Sequence, residues 1–204
     1  MKRIMIPLIL TAVVLASCGV NETSDDKTAV TEKSTETTAE TEKASEDDTA
    51  VNGDYGITSE TFELTSEDLH DGVWDDDITD TDYGTNSSPQ LKWDAVEGAQ
   101  CYSIYMVDTD AGNWLHWKTK ECNDTELAHG WAERSDYVGP YPPDGTHTYE
   151  VFVFAMKQPA DKYKGMFNSS NTSLDDMFAS VDTAGGERGN ILSYGHISGT
   201  YTAK

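Results

Sequence analysis

Two histidines, two aspartates and one stiff loop are the residues of this chain best suited to do chemistry. Asp108-Thr109-Asp110 ends one β-prone run, and Trp114-Leu115-His116-Trp117 begins the next. Further on, the segment 137–149 sets Gly139, Pro140, Pro142, Pro143 and Gly145 ahead of His147 and Tyr149. Three prolines and two glycines in so short a span make a loop of defined shape. An imidazole can offer a proton from one ring nitrogen while a carboxylate fixes its tautomer through the other. His116 and His147, with a carboxylate behind them and a free Gly139 amide, would therefore enclose a small anion. Other readings stay open at this level. Both histidines could be hydrogen-bonded strand residues, or His116, His147 and Asp108 a two-histidine, one-carboxylate metal site. No activated nucleophile is evident: Ser193 lies in Ile191-Leu192-Ser193-Tyr194-Gly195, which is not a nucleophile elbow. The residues favour binding over catalysis and call for no metal and no cofactor.

These side chains must be positioned by strands. Cys101 to Val107 is β-prone throughout, and Trp114 to Thr119 follows at hairpin spacing, with Gly112 and Asn113 between. His147 to Met156 is the strongest strand, and its run Val151-Phe152-Val153-Phe154 predicts burial on both faces. Shorter strands are expected at 61–64, 90–93 and 196–202. One helix is expected at 173–181, where Leu174, Met177, Phe178 and Val181 recur at helical spacing behind a Ser173 cap. Cys101 and Cys122 flank the hairpin and invite a disulfide. However, if Asp108 and His116 face one site, the pairing parity sends the two thiols to opposite faces, and only a bulge would bring them together. His70, His129 and His196 read as surface or structural residues. Asp75, Asp76, Asp77, Asp80 and Asp82 read as a solvated acidic loop, since an EF-hand's glycine and terminal glutamate are missing.

The chain has 204 residues and a formal charge of −23, from 37 acids and 14 Lys and Arg. This excludes a nucleic-acid binder, which needs clustered cations to displace counterions from phosphates. The charge is unevenly spread. Residues 1–17 hold Lys2, Arg3, an apolar run of about twelve residues and Leu15-Ala16-Ser17 ahead of Cys18. That order predicts a lipoprotein signal peptide, too short to span a bilayer. Cys18 is the expected lipidation site, and acyl chains would hold the protein on the extracytoplasmic face of a bacterial cell membrane. Residues 18–53 are rich in Thr, Ser, Glu and Asp and contain no aromatic residue, so they predict an acidic disordered tether. Every Phe, Trp and Tyr lies at or after Tyr55, so the globular domain is expected at 54–204.

Four motifs in order carry a family resemblance: Ser88-Pro89-Gln90-Leu91-Lys92-Trp93, Asp108-x-Asp110-Ala111, Trp114-x-His116-Trp117, and Tyr137-x-Gly139-Pro140-x-Pro142-Pro143-x-Gly145-x-His147-x-Tyr149. From about Thr61 to Tyr201 the chain resembles the phosphatidylethanolamine-binding protein family, more narrowly its bacterial Raf-kinase-inhibitor-like branch. The resemblance implies a mainly β fold: a large antiparallel sheet packed with a smaller sheet and a few peripheral helices. It implies a cavity for phosphate, acetate or a phospholipid head group. Asp108 and Asp110 would be its carboxylates and His116 and His147 its imidazoles. Gly139 and Pro140 would form its loop wall, and Tyr149 would supply a hydroxyl. Thr109 and Gly112 stand where the family commonly has prolines, and Thr148 where it often has an arginine. The leading expectation is a binding protein for a small anion or head group. A regulatory protein acting on an envelope protease or hydrolase is the second, and a metal-dependent hydrolase the third.

Overall fold

The computed structural model describes residues 59–204. The signal peptide, Cys18 and the tether lie outside the described residues. Twelve strands and one helix follow in order: β1 (Glu60–Thr61), β2 (Leu64–Thr65), β3 (Leu69–His70), β4 (Val73–Trp74), β5 (Leu91–Trp93), β6 (Cys101–Asp108), β7 (Trp114–Cys122), β8 (Glu126–Leu127), β9 (Thr146–Met156), α1 (Leu174–Val181), β10 (Thr183–Ala184), β11 (Glu187–Arg188) and β12 (Ile191–Thr202). A single 3₁₀ turn, Asp76–Ile78, follows β4. Among the described residues no helix is long and apolar enough to cross a membrane.

The large sheet runs β3-β4-β12-β9-β6-β7, with β1 also pairing β12. Its centre is antiparallel, as expected, but β1 and β4 join β12 in parallel, so the sheet is mixed. These edge pairings connect residues more than a hundred positions apart, and no local pattern encodes them. A second sheet, β2-β5-β8, covers one face. Its Leu64, Leu91, Trp93 and Leu127 pack with Ile104, Met106, Trp117, Val151 and Val153. The other face packs Tyr105, Val107, Leu115, Phe152 and Phe154 against Met177, Phe178 and Val181 of α1. β9 is therefore buried on both faces, as its apolar run predicts. Each such fully buried apolar side chain contributes about 1.5–3 kcal/mol. Ser173 caps α1, its side chain accepting from the Asp176 amide at 3.1 Å.

Glycines in β12 let neighbours close over it. A Cβ at Gly199 would fall 2.5 Å from the indole nitrogen of Trp74. With no side chain there, Trp74 lies across β12 and donates to the Tyr149 carbonyl at 3.2 Å. Gly199 is itself the cross-strand partner of Tyr149, so this contact fixes β9 where the polar residues sit.

The hairpin β6–β7 carries two register shifts. Tyr102 faces Cys122, Met106 faces Trp117, Val107 faces Leu115 and Asp108 faces Trp114. Between Val107 and Met106 the partner strand thus contains one extra residue, His116. Cys122 shares a face with Tyr102 and packs in the first core, whereas Cys101 packs in the second. Both cysteines are free and buried, on opposite faces of the sheet. Burial pushes the Cys122 thiol up to about 12.

Candidate functional site

The polar residues singled out in the sequence meet at one end of the sheet, on the face shared with the smaller sheet. Asp108 is the last residue of β6 and lies directly opposite Tyr149 of β9. His147 precedes Tyr149 by two residues, so both point to the same side. His116 arrives from β7 through the bulge. In a regular strand adjacent residues alternate faces. Here Trp117 packs in the first core and the His116 ring also meets Tyr149, edge to face, at 5.2 Å. The extra residue is what turns His116 toward Tyr149 and Asp108. The His147 ring is stacked with Tyr149 at 6.5 Å between ring centroids.

Asp108 is only 3% exposed, and a buried carboxylate is costly unless its oxygens are satisfied. They are. Its Oδ2 accepts from His147 Nδ1 at 2.7 Å. Its Oδ1 accepts from the amides of Asp110 and Ala111 at 2.9 and 3.0 Å, closing the β6–β7 turn over itself. Asp110 plays a different part from the one expected. It is exposed at the rim, and its Oδ2 accepts from the Thr148 amide at 2.7 Å. It ties the loop to β9 rather than lining the centre.

His116 is 6% exposed, and its Nδ1 donates to the Val138 carbonyl at 2.8 Å. Burial holds this imidazole below its ordinary value, against the opposing pull of the Val138 carbonyl and Asp108. His116 is therefore neutral near pH 7, with its proton on Nδ1 and a lone pair on Nε2. The expectation that both histidines act as simple donors needs revision. Both Nδ1 atoms are spent on protein acceptors, so each neutral ring keeps a lone pair on Nε2, which becomes a donor only when the ring is protonated.

The Gly139 amide, expected to be free, is also spent. It donates to Asn86 Oδ1 at 2.7 Å. The glycine is needed for a different reason: a Cβ there would fall 2.2 Å from the Ile78 carbonyl oxygen. The loop lies directly on the 3₁₀ turn, where Tyr137 donates to the Ile78 carbonyl at 2.7 Å and the Asp80 amide to the Pro140 carbonyl at 3.1 Å. Pro140 is buried in this wall, as expected of the loop. Asn86 itself adopts φ +55°, a left-handed conformation that Asn tolerates. Sequence reasoning missed Asn86 and the Val138 carbonyl. The available signal was the position of Asn86, two residues before Ser88-Pro89.

Tyr149 is fully buried, and its hydroxyl has no well-formed hydrogen bond to the protein. Burial, followed by the adjacent Asp108 carboxylate, pushes this phenol far above its ordinary range, so it is a permanent proton donor. An unsatisfied buried hydroxyl costs about 1–3 kcal/mol. Among the described residues no group of three or more His, Cys, Asp or Glu side chains could hold a metal ion. The remaining histidines are paired elsewhere: His70 with Asp75, His129 with Asp68 and His196 with Glu150.

The depressed His116 value has a consequence for stability. The folded state takes up this proton less readily than the unfolded state, so His116 lowers stability as pH falls below about 6.5. The expected outcome is that His116→Asn, which keeps a donor for Val138, loses less stability than the parent between pH 7 and 5 in urea melts. Equal losses would contradict the assignment.

Comparison with known proteins agrees with this architecture. The family model described as phosphatidylethanolamine-binding protein matches residues 66–202. Among solved structures, a putative phosphatidylethanolamine-binding protein homologue, CT736 from Chlamydia trachomatis, aligns with a TM-score of 0.54 at 21% identity, covering 72% of this chain and 100% of that one. YbcL of E. coli, described as a new member of the mammalian PEBP family, aligns with a TM-score of 0.53 at 22% identity, covering 70% of this chain and 99% of its own. The match runs from β3 to β12 and includes the bulged hairpin and the 137–149 loop, and on that basis this chain belongs to the phosphatidylethanolamine-binding protein family.

Proposed function

We propose that this chain is a lipid-anchored extracytoplasmic binding protein whose pocket takes a small anionic or phosphorylated group, such as a phospholipid head group. The observation that carries the reading is the Tyr149 hydroxyl, buried beside Asp108 and two imidazoles without a well-formed hydrogen bond. A ligand oxygen would satisfy it.

The same arrangement answers how an anion can sit in a domain of charge −18. Asp108 does not face the ligand with a bare charge, because three donors already occupy its oxygens. Protonation of His147 would make the Asp108–His147 pair neutral overall and turn Nε2 into a donor. Neutral His116 would accept a hydrogen bond at Nε2 from a hydroxyl on the ligand. A monoprotonated phosphate offers P–O⁻ to the donors and P–OH to His116; a phosphodiester head group would offer its P–O⁻ to the same donors and an ammonium or hydroxyl hydrogen to His116. Affinity then comes from local donors and not from the overall field. The Arg replaced by Thr148 is not available to add a cation, so affinity is expected to be modest.

Titration calorimetry with inorganic phosphate and with glycerophosphoethanolamine tests the pocket. Tyr149→Phe is expected to weaken binding roughly 10–100-fold, the value of a hydrogen bond to a charged group. His147→Ala is expected to abolish measurable binding. Unchanged phosphate binding by His147→Ala would show that the pocket is wrongly assigned.

The anchor rests on the order of Lys2, Arg3, the apolar run and Cys18. Cys18→Ala is expected to release the protein from membranes and to prevent incorporation of labelled palmitate. Equal membrane retention of parent and variant would contradict lipidation at Cys18.

A further inference from the structure

A second pocket, lined by neither site imidazole, lies where residues 80–83 face residues 141–143 across an open volume of about 370 Å³. Its chemistry is unlike that of the first. Asp80 and Asp82 supply negative charge, and Tyr83 and Tyr141 are 58% and 66% exposed, leaving ring surface uncovered. Pro142 and Pro143 stiffen the opposite wall.

The protein itself shows what this surface attracts. The Lys204 ammonium lies 5.5 Å from the Tyr83 ring centroid and 5.6 Å from that of Tyr201, both within cation–π range. The same ammonium is bonded to Asp76 Oδ1, which also accepts from the Tyr201 hydroxyl at 2.9 Å. Two aromatic rings and a carboxylate thus cage a cation at the edge of the pocket. Lys204 is the sole Lys or Arg among the residues lining it. Anions are repelled by Asp80 and Asp82, and a neutral apolar ligand would have to desolvate them without compensation.

We infer that this pocket binds an organic cation, an alkylammonium or guanidinium group, and that Lys204 is an internal occupant which the ligand displaces. The ion pair holding Lys204 is partly exposed and of the kind that contributes little, so displacement costs little. The site uses none of Asp108, His116, His147 or Tyr149, so it stands or falls independently of the anion pocket.

The test is a titration of the full-length protein in detergent, followed by the NMR signals of the Tyr83 and Tyr141 rings, both of which line the pocket, the Tyr141 ring remaining as reporter when Tyr83 is replaced. Three probes are used: choline, its neutral isostere 3,3-dimethylbutan-1-ol, and N-acetylarginine amide. Saturable shifts with a cationic probe and none with the neutral isostere are expected. Tighter binding of choline would assign the site to small ammonium groups, and tighter binding of the arginine amide to guanidinium side chains; both support a cation site. Lys204→Ala is expected to tighten the preferred probe about tenfold, if the cage is free about a tenth of the time in the parent. Adding Tyr83→Ala to that variant is expected to remove saturation while leaving near-ultraviolet circular dichroism unchanged, since Tyr83 is exposed. His147→Ala is expected to leave cation binding intact. Equal shifts from choline and its isostere, no saturation by either cation, or no tightening in Lys204→Ala would overturn the proposal.

Discussion

The buried carboxylate of Asp108 is the group around which the candidate site is organised. A carboxylate at 3% exposure can persist only with its oxygens satisfied, and the chain satisfies them from two directions. The turn after β6 supplies the amides of Asp110 and Ala111, and β9 supplies His147. Those contacts fix the turn, the His147 ring and its tautomer together. A second-strand imidazole held in this way has one free nitrogen, and its protonation decides whether that nitrogen gives or accepts a hydrogen bond. The pairing of Asp108 with Tyr149 sets the remaining donor beside it.

The rest of the fold supplies the rigidity this cluster needs. β9 is apolar on both faces and is held between β6 and β12, so His147 and Tyr149 extend from the most buried strand of the molecule. The Trp74 indole reaches the Tyr149 carbonyl across the gap at Gly199. The loop at Gly139 lies against the 3₁₀ turn at backbone contact distance, which places the Val138 carbonyl within reach of His116. Replacing the expected amide donor with an occupied one changes the chemistry: the loop acts as a scaffold and a tautomer lock, not as an anion nest.

Local signals made a good part of this legible in the sequence. The continuous run Val151–Phe154 reads correctly as a strand buried twice, and Ser173 with its apolar spacing reads correctly as a capped helix. Three of the four ordered motifs name residues that converge, Asp108, His116, His147 and Tyr149, whereas Leu91 and Trp93 of the first pack in the core. What was not legible depends on partners distant in the chain. Asn86 captures the Gly139 amide from 53 residues away. The parallel edge strands pair with β12 from the opposite end of the domain. The bulge at His116 has no composition of its own, since Trp114-Leu115-His116-Trp117 would serve a regular strand equally well. The parity argument separates Cys101 from Cys122 correctly but by a register that does not occur: Asp108 pairs with Trp114 rather than His116, and the two register shifts together restore the parity, so Tyr102 faces Cys122. β12 was seen in part: its glycines weaken the strand pattern, and they are there because Phe62 and Trp74 close over them.

The central claim is that both site histidines spend Nδ1 on the protein and keep Nε2 for a ligand. Long-range ¹H–¹⁵N NMR of the imidazoles at neutral pH tests it directly. The account predicts that His116 shows a protonated Nδ1 and a lone-pair Nε2, and that phosphate brings the His147 Nε2 into its protonated form. A His116 ring carrying its proton on Nε2, or a His147 ring indifferent to saturating phosphate, would contradict it.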